Sequence, residues 1–172
     1  MHFKTIYFFA ALLFTTSVHA QQSLTLLDNS NHLTSIWGGE KSNPVYRNDI
    51  RSVALRHFIN TYGEGLNAEW NLTSFGFRAE FRKEAIKYLV DYNRGGLWLS
   101  TIRFYGEKDM PQDIRRIVKS VYFDYDIELV SEVNYAKQVV YHVNIQDETS
   151  LKKLIVMDGE MTVEAEYTRA DR

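Results

Sequence analysis

The chain contains no cysteine, which removes thiol catalysis, cysteine-ligated zinc and disulfide stapling at one stroke. Lipid anchoring at a processed N-terminus goes with them, because that acylation needs a cysteine there. Proline occurs only twice in 172 residues, which excludes collagen-like and proline-rich low-complexity classes. After residue 20 no segment approaches the about 20 consecutive apolar residues that a membrane-spanning helix needs. Neither sign of charge prevails: 20 basic residues face 22 acidic ones. That balance argues against nucleic acid and against an anionic membrane surface, both of which select a basic face. A nucleophile elbow, a phosphate loop and a dinucleotide fingerprint are also missing. Gly63-Glu64-Gly65 lacks the third glycine and reads as a helix stop.

What is present suits a folded domain: 45% hydrophobic, 14% aromatic and 24% charged residues. Residues 1–20 stand apart from it. Lys4 precedes an apolar run from Ile6 to Phe14, and Val18-His19-Ala20 places small residues where a signal peptidase reads them. This predicts a secretory signal cleaved near Ala20, and hence a periplasmic or secreted product without membrane insertion. Loss of Lys4 would move the net charge from −2 to about −3. Residues 21–48, rich in Asn, Ser and Gly, read as a loosely ordered leader segment. The remainder, residues 49–172, is the predicted domain and is long enough to bury a core without staples.

Asp49 is the expected N-cap of a helix that carries Ile50, Val53, Ala54, Phe58, Ile59 and Tyr62 on one stripe and stops at Gly63. The period then changes to two. Leu66, Ala68, Trp70 and Leu72 alternate with polar residues, as do Phe75, Phe77, Ala79 and Phe81. A third strand is expected over 86–92 and, beyond the Asn93–Gly96 turn, a fourth over 97–105. Pro111 opens a second helix with Ile114, Ile117, Val118, Val121 and Tyr122, and strands follow at 126–133, 137–145 and 151–157. Asp158-Gly159 is a tight hairpin turn into Met161, Val163, Ala165 and Tyr167. Tyr62 and Phe123, and Gly96 and Gly159, answer one another at nearly equal spacing. The expected fold class is therefore α+β: a tandem repeat of a helix plus a four-stranded antiparallel meander (residues 49–106 and 107–168), forming one curved sheet with helices packed on one face. Two unrelated helix-plus-meander units are the alternative.

Candidate chemistry is sparse. Asp91-x-Asn93-x-Gly95-Gly96 imitates the start of a calcium loop, but Ile102 occupies the position that must supply a bidentate carboxylate, so a hairpin fits better. Asp124, Asp126 and Glu128 read as a solvated edge, and His32, His57 and His142 have no metal-site spacing. No metal, cofactor or catalytic residue is expected. If Phe77, Ala79 and Phe81 face the helices, Arg78, Glu80 and Arg82 face away, and the same parity sends Gln138, Val140, His142 and Asn144 outward. For residues 97–105 the parity is open. With Trp98, Ile102 and Phe104 in the core, Leu99, Thr101, Arg103 and Tyr105 join the outward face. The candidate partner-binding set is thus Arg78, Glu80, Arg82, Arg103, Tyr105 and His142.

Trp70 on one strand, Phe77-Arg78-Ala79-Glu80-Phe81 on the next, Tyr88-Leu89-Val90-Asp91-Tyr92, a glycine turn, Leu97-Trp98-Leu99 and Met110-Pro111 follow one another in order. Over about residues 50–167 this order resembles the β-lactamase-inhibitor-like, PepSY-like family of exported bacterial proteins. The resemblance implies a tandem repeat with an open sheet face, and a periplasmic, non-enzymatic binder or inhibitor. It supplies no target and no contact residue. The expected function is that of an exported, non-catalytic module, monomeric and cofactor-free, which binds an unidentified envelope protein or peptide through the open face and inhibits a hydrolase or regulates a partner. A small-molecule carrier or hydrolase with a pocket between sheet and helices is the rival, and inward positions that read as almost entirely apolar count against it. A self-associating assembly subunit is the third reading.

Overall fold

Side chains that alternate between apolar and polar dictate strands with one dry and one wetter face, and this pattern governs the chain from residue 69 onward. The computed structural model describes residues 43–44 and 49–169. In order these form β1 (Asn43–Pro44), α1 (Ser52–Tyr62), β2 (Glu69–Leu72), β3 (Gly76–Lys83), β4 (Ile86–Asn93) and β5 (Trp98–Tyr105). A short 3-10 turn (Glu107–Asp109) leads to α2 (Gln112–Val121), then β6 (Asp126–Tyr135), β7 (Gln138–Gln146), β8 (Ser150–Met157) and β9 (Glu160–Thr168). The expected signal peptide and His32 lie outside the described residues. So does the leader, apart from Asn43 and Pro44, which pair with Leu72 and Asn71 of β2.

Among the described residues every strand bonds only to its neighbours in the chain, giving one antiparallel sheet in the order β1 to β9. The α+β tandem-repeat expectation is corrected by this. Eight strands of four to ten residues and one of two residues outweigh two helices of 11 and 10 residues, so the fold is mainly β. Nor does the sheet divide between residues 106 and 107. β5 and β6 pair continuously from Ser100↔Tyr135 to Tyr105↔Val130, with α2 merely crossing between them. Local periodicity reveals that helices exist, but not how much continuous sheet outweighs them.

The helices cover two patches of one sheet face. Ala54 and Phe58 of α1 pack on Trp70, Phe77, Ala79, Phe81, Val90 and Tyr92. Ile114 and Val118 of α2 pack on Val130, Val143, Ile145, Leu154 and Val156. In the first patch the rings pack edge to face, Phe58 against Trp70 at 5.4 Å and against Phe81 at 5.1 Å, while Phe81 stacks flat on Tyr88 at 4.9 Å. Asp49 is not the cap of α1; Arg51 occupies that position and makes no side-chain cap. Gly63 closes the helix, donating its N–H to Ile59 O at a φ of 100°. Asp158 and Gly159 have φ of 53° and 83°, the two positive angles of a type I′ hairpin.

A bulge sits where β4 meets β5: Asp91 pairs with Ser100 but Tyr92 pairs with Trp98, leaving Leu99 over. Trp98 therefore shares the helix face with Thr101, Arg103 and Tyr105, while Ile102 and Phe104 turn to the far face. At the other end of the sheet, among the described residues, β9 pairs only with β8, through a second bulge at Lys153/Leu154, and presents Glu160, Glu164 and Glu166 along an exposed edge.

Gly76 opens β3 opposite Asn93, the last residue of β4. A Cβ there would stand 2.3 Å from Tyr92 O and 2.4 Å from Asn93 C, both backbone atoms that cannot swing aside. Gly76→Ala should lower stability by about 3 kcal/mol, measured as a lower urea midpoint. Gly159→Ala meets no atom within 4 Å and should cost only the strain of its positive φ, about 1 kcal/mol.

Candidate functional site

Face assignment sorts the expected partner-binding residues into two groups. Arg78, Glu80, Arg82 and His142 lie on the far face, as their parity predicts. Arg78 is held by Asp91 through Nε at 2.6 Å and Nη2 at 3.0 Å, and Ser100 Oγ donates to the same carboxylate. Glu80 accepts from Lys87 Nζ at 2.6 Å. His142, half-buried, lies 3.9 Å from Glu164, and burial lowers its pKa, with Glu164 opposing. Asp91 thus belongs to an ion pair, and Asn93 to a turn in which its Oδ1 accepts from the N–H groups of Gly95 and Leu97. No group of metal-ligating side chains occurs among the described residues.

Arg103 and Tyr105 are the correction. The β5 bulge puts both on the helix face, and Tyr105 is 3% exposed. Arg103 Nη1 donates to both Glu132 oxygens at 3.0 Å, and the Tyr105 hydroxyl donates to Glu132 Oε2 at 2.6 Å. Burial would lower the Arg103 pKa, but the charge and hydrogen bonds of Glu132 outweigh it and raise it. Burial, reinforced by Glu132, raises that of Tyr105, so the phenol stays protonated and donates. The guanidinium also lies over the rings of Tyr88 and Tyr105, and its Nε is buried with no hydrogen-bond partner among the described residues.

These groups form a polar seam between the two core patches, contrary to the expectation of an apolar inward face. Thr101, Arg103, Glu132 and Asn134 are cross-strand neighbours on β5 and β6. Beside α1 the seam opens into a groove of about 590 Å³ whose lining includes His57, Tyr62, Tyr88 and Trp98. Thr101 Oγ1 takes the Trp98 Nε1–H at 3.0 Å and meets the Tyr62 hydroxyl at 3.0 Å. His57 Nδ1 meets the Tyr92 hydroxyl at 3.1 Å, and its ring stacks on Trp98 with 6.5 Å between centroids. Sequence reading missed Glu132 and Asn134. The readable signal is that both continue the inward parity of Val130 and break its apolar run.

The far face differs. Leu89, Ile102, Phe104, Val133 and Val140 form an apolar floor at most 9% exposed, and none belongs to either helix-side cluster. Around it Tyr135, Met157 and Tyr167 are 39–41% exposed. Their register partners (Ser100, Val140 and Leu151) place these three on the same face as the floor.

No protein-family model matches the chain, and no curated protein matches it in sequence. Solved structures do match in fold. A BLIP-like protein from Bacteroides fragilis superposes with a TM-score of 0.54 at 13% identity, over 71% of this chain and 89% of that one. A DUF2874 family protein from Bacteroides ovatus gives 0.54 at 14% identity, over 69% and 87%. A protein from Bacteroides eggerthii described as "putative periplasmic" gives 0.53 at 11%, over 69% and 88%. The chain is therefore similar in fold to BLIP-like proteins; nothing in these likenesses bears on the PepSY-like part of the resemblance.

Two outcomes follow from the seam. Arg103→Met strands the buried Glu132 carboxylate and should cost about 2 kcal/mol, a figure reduced for the partial exposure of the arginine, whereas Arg103→Met/Glu132→Leu should recover most of it in urea titrations. Burial also lowers the pKa of His57, as it does that of His142. The unfolded chain then binds more protons below the ordinary histidine value of about 6.5, and stability must fall as pH drops through that range. The melting temperature should be higher at pH 8 than at pH 5.5, and His57→Gln should flatten the difference.

Proposed function

We propose that the chain is an exported, non-catalytic binding protein that docks an envelope protein or peptide on the far face of its sheet. Three exposed anchors, Tyr135, Met157 and Tyr167, around a buried apolar floor carry this reading. Interfaces draw most of their affinity from a few aromatic or flexible apolar side chains set beside well-packed surroundings. The Arg78–Asp91 and Lys87–Glu80 pairs provide fixed charges at the border, suited to orienting a partner more than to holding it. The BLIP-like fold supports a binder over a catalyst. Export is supported by the signal-like residues 1–20 and by the likeness to a protein described as periplasmic. No helix among the described residues is long and apolar enough to cross a membrane.

In its finer form the proposal is steric: a monomer lays the face over the mouth of a hydrolase or regulatory partner. Immobilised chain without residues 1–20 should retain a discrete protein or peptide from envelope extract. The Tyr135→Ala/Met157→Ala/Tyr167→Ala variant should retain at least about tenfold less at an unchanged melting temperature. Full retention by that variant would overturn the assignment of the face.

A further inference from the structure

The groove beside α1 lies on the opposite side of the sheet from the proposed docking face and has its own chemistry. Its lining carries Lys83 and Arg103 against Glu84 and Glu132, so formal charges cancel. Arg103 is moreover neutralised at contact distance by Glu132. An anion would meet the Glu132 carboxylate beside the guanidinium, and a cation would meet the reverse. What the groove offers a neutral ligand is different. Tyr62, Tyr88, Trp98 and His57 are half-buried rings, each with part of its surface left open. Below them lie a hydroxyl, a guanidinium, a carboxylate and an amide on adjacent strands. A guanidinium has five N–H donors, and both bonds from Arg103 to Glu132 use Nη1. Donors remain for a guest while the side chain stays 31% exposed.

The exposed part of the Trp98 ring, which accepts an apolar C–H surface, beside fixed donors and acceptors that accept a rim of hydroxyls, matches one ligand class. We infer that this groove binds a neutral saccharide, with Trp98 against a sugar face, the edges of Tyr62 and Tyr88 at its border, and Arg103, Glu132 and Asn134 bonding its hydroxyls. The volume of about 590 Å³ falls within the roughly 300–1,000 Å³ of small-molecule sites.

Titration of the intact chain with maltose, cellobiose and N,N′-diacetylchitobiose, followed by tryptophan fluorescence and calorimetry, tests this. At least one disaccharide should bind saturably. Asn134→Ala and Arg103→Lys should each weaken that binding at least tenfold, while Met157→Ala on the far face leaves it unchanged. Asn134→Ala leaves the backbone pairing of β6 with Thr101 and Val139 in place, so this variant decides the matter if Arg103→Lys fails to fold. Three results would overturn the inference: no saturable response to any of the three sugars, wild-type affinity in Asn134→Ala, or displacement of a bound sugar by inorganic phosphate. Because Met157→Ala probes only the far face, the fate of the docking surface is read separately.

Discussion

A sheet in which each strand bonds only to its sequence neighbours commits every side chain to one of two faces, and here that commitment is made strand by strand through register. A single unpaired residue, Leu99, decides the middle of the molecule. Without that bulge a strict period of two from Trp98 would send Ile102 and Phe104 against the helices and Arg103 outward. With it, Trp98 keeps its place beside α1 while Arg103 and Tyr105 turn inward to meet Glu132. The apolar residues displaced by the switch become the floor of the far face. One backbone irregularity thus creates both surfaces to which function is assigned.

The inward ion pair has an energetic cost. Burying a guanidinium and a carboxylate removes both from water, and apolar replacements of similar volume often stabilise as well or better. The pair therefore makes little sense as a device for stability. It makes more sense as preparation: two opposed charges held by Tyr105, Tyr88 and one another present oriented dipoles without a net charge. The aromatic patch under α1 and the aliphatic patch under α2 supply the dry packing elsewhere.

Much of the strand plan was legible in the amino-acid order because period two survives in single strands. The expected strands at 86–92, 126–133 and 151–157 differ from the observed ones by at most two residues at either end. Asp158-Gly159 announced its turn by composition. Three things were not legible. The cap of α1 fell to Arg51 because tertiary packing of Ala54 and Phe58, and not a side-chain cap, fixes where the helix starts. The β5 bulge could not be placed from the residues: Trp-Leu-Ser-Thr-Ile sets two apolar residues and then two polar ones side by side, which leaves the parity of 97–105 open. And the contact between Arg103 and Glu132 spans 29 positions with a helix in between, so only pairing across strands reveals it. The fold class was misjudged for a related reason. Two short helices are conspicuous in a pattern search, whereas the continuity of a sheet is a long-range property.

A sheet built as an open meander has ends, and among the described residues the long one at β9 is paired along one side. Carboxylates at Glu160, Glu164 and Glu166, and the local buckle opposite Lys153 and Leu154, make it a poor template for a like chain laid alongside. Even crowded in a small compartment, such molecules would repel at that rim instead of zipping into fibres, and ribbon-like aggregation is checked by the same strand that finishes the fold.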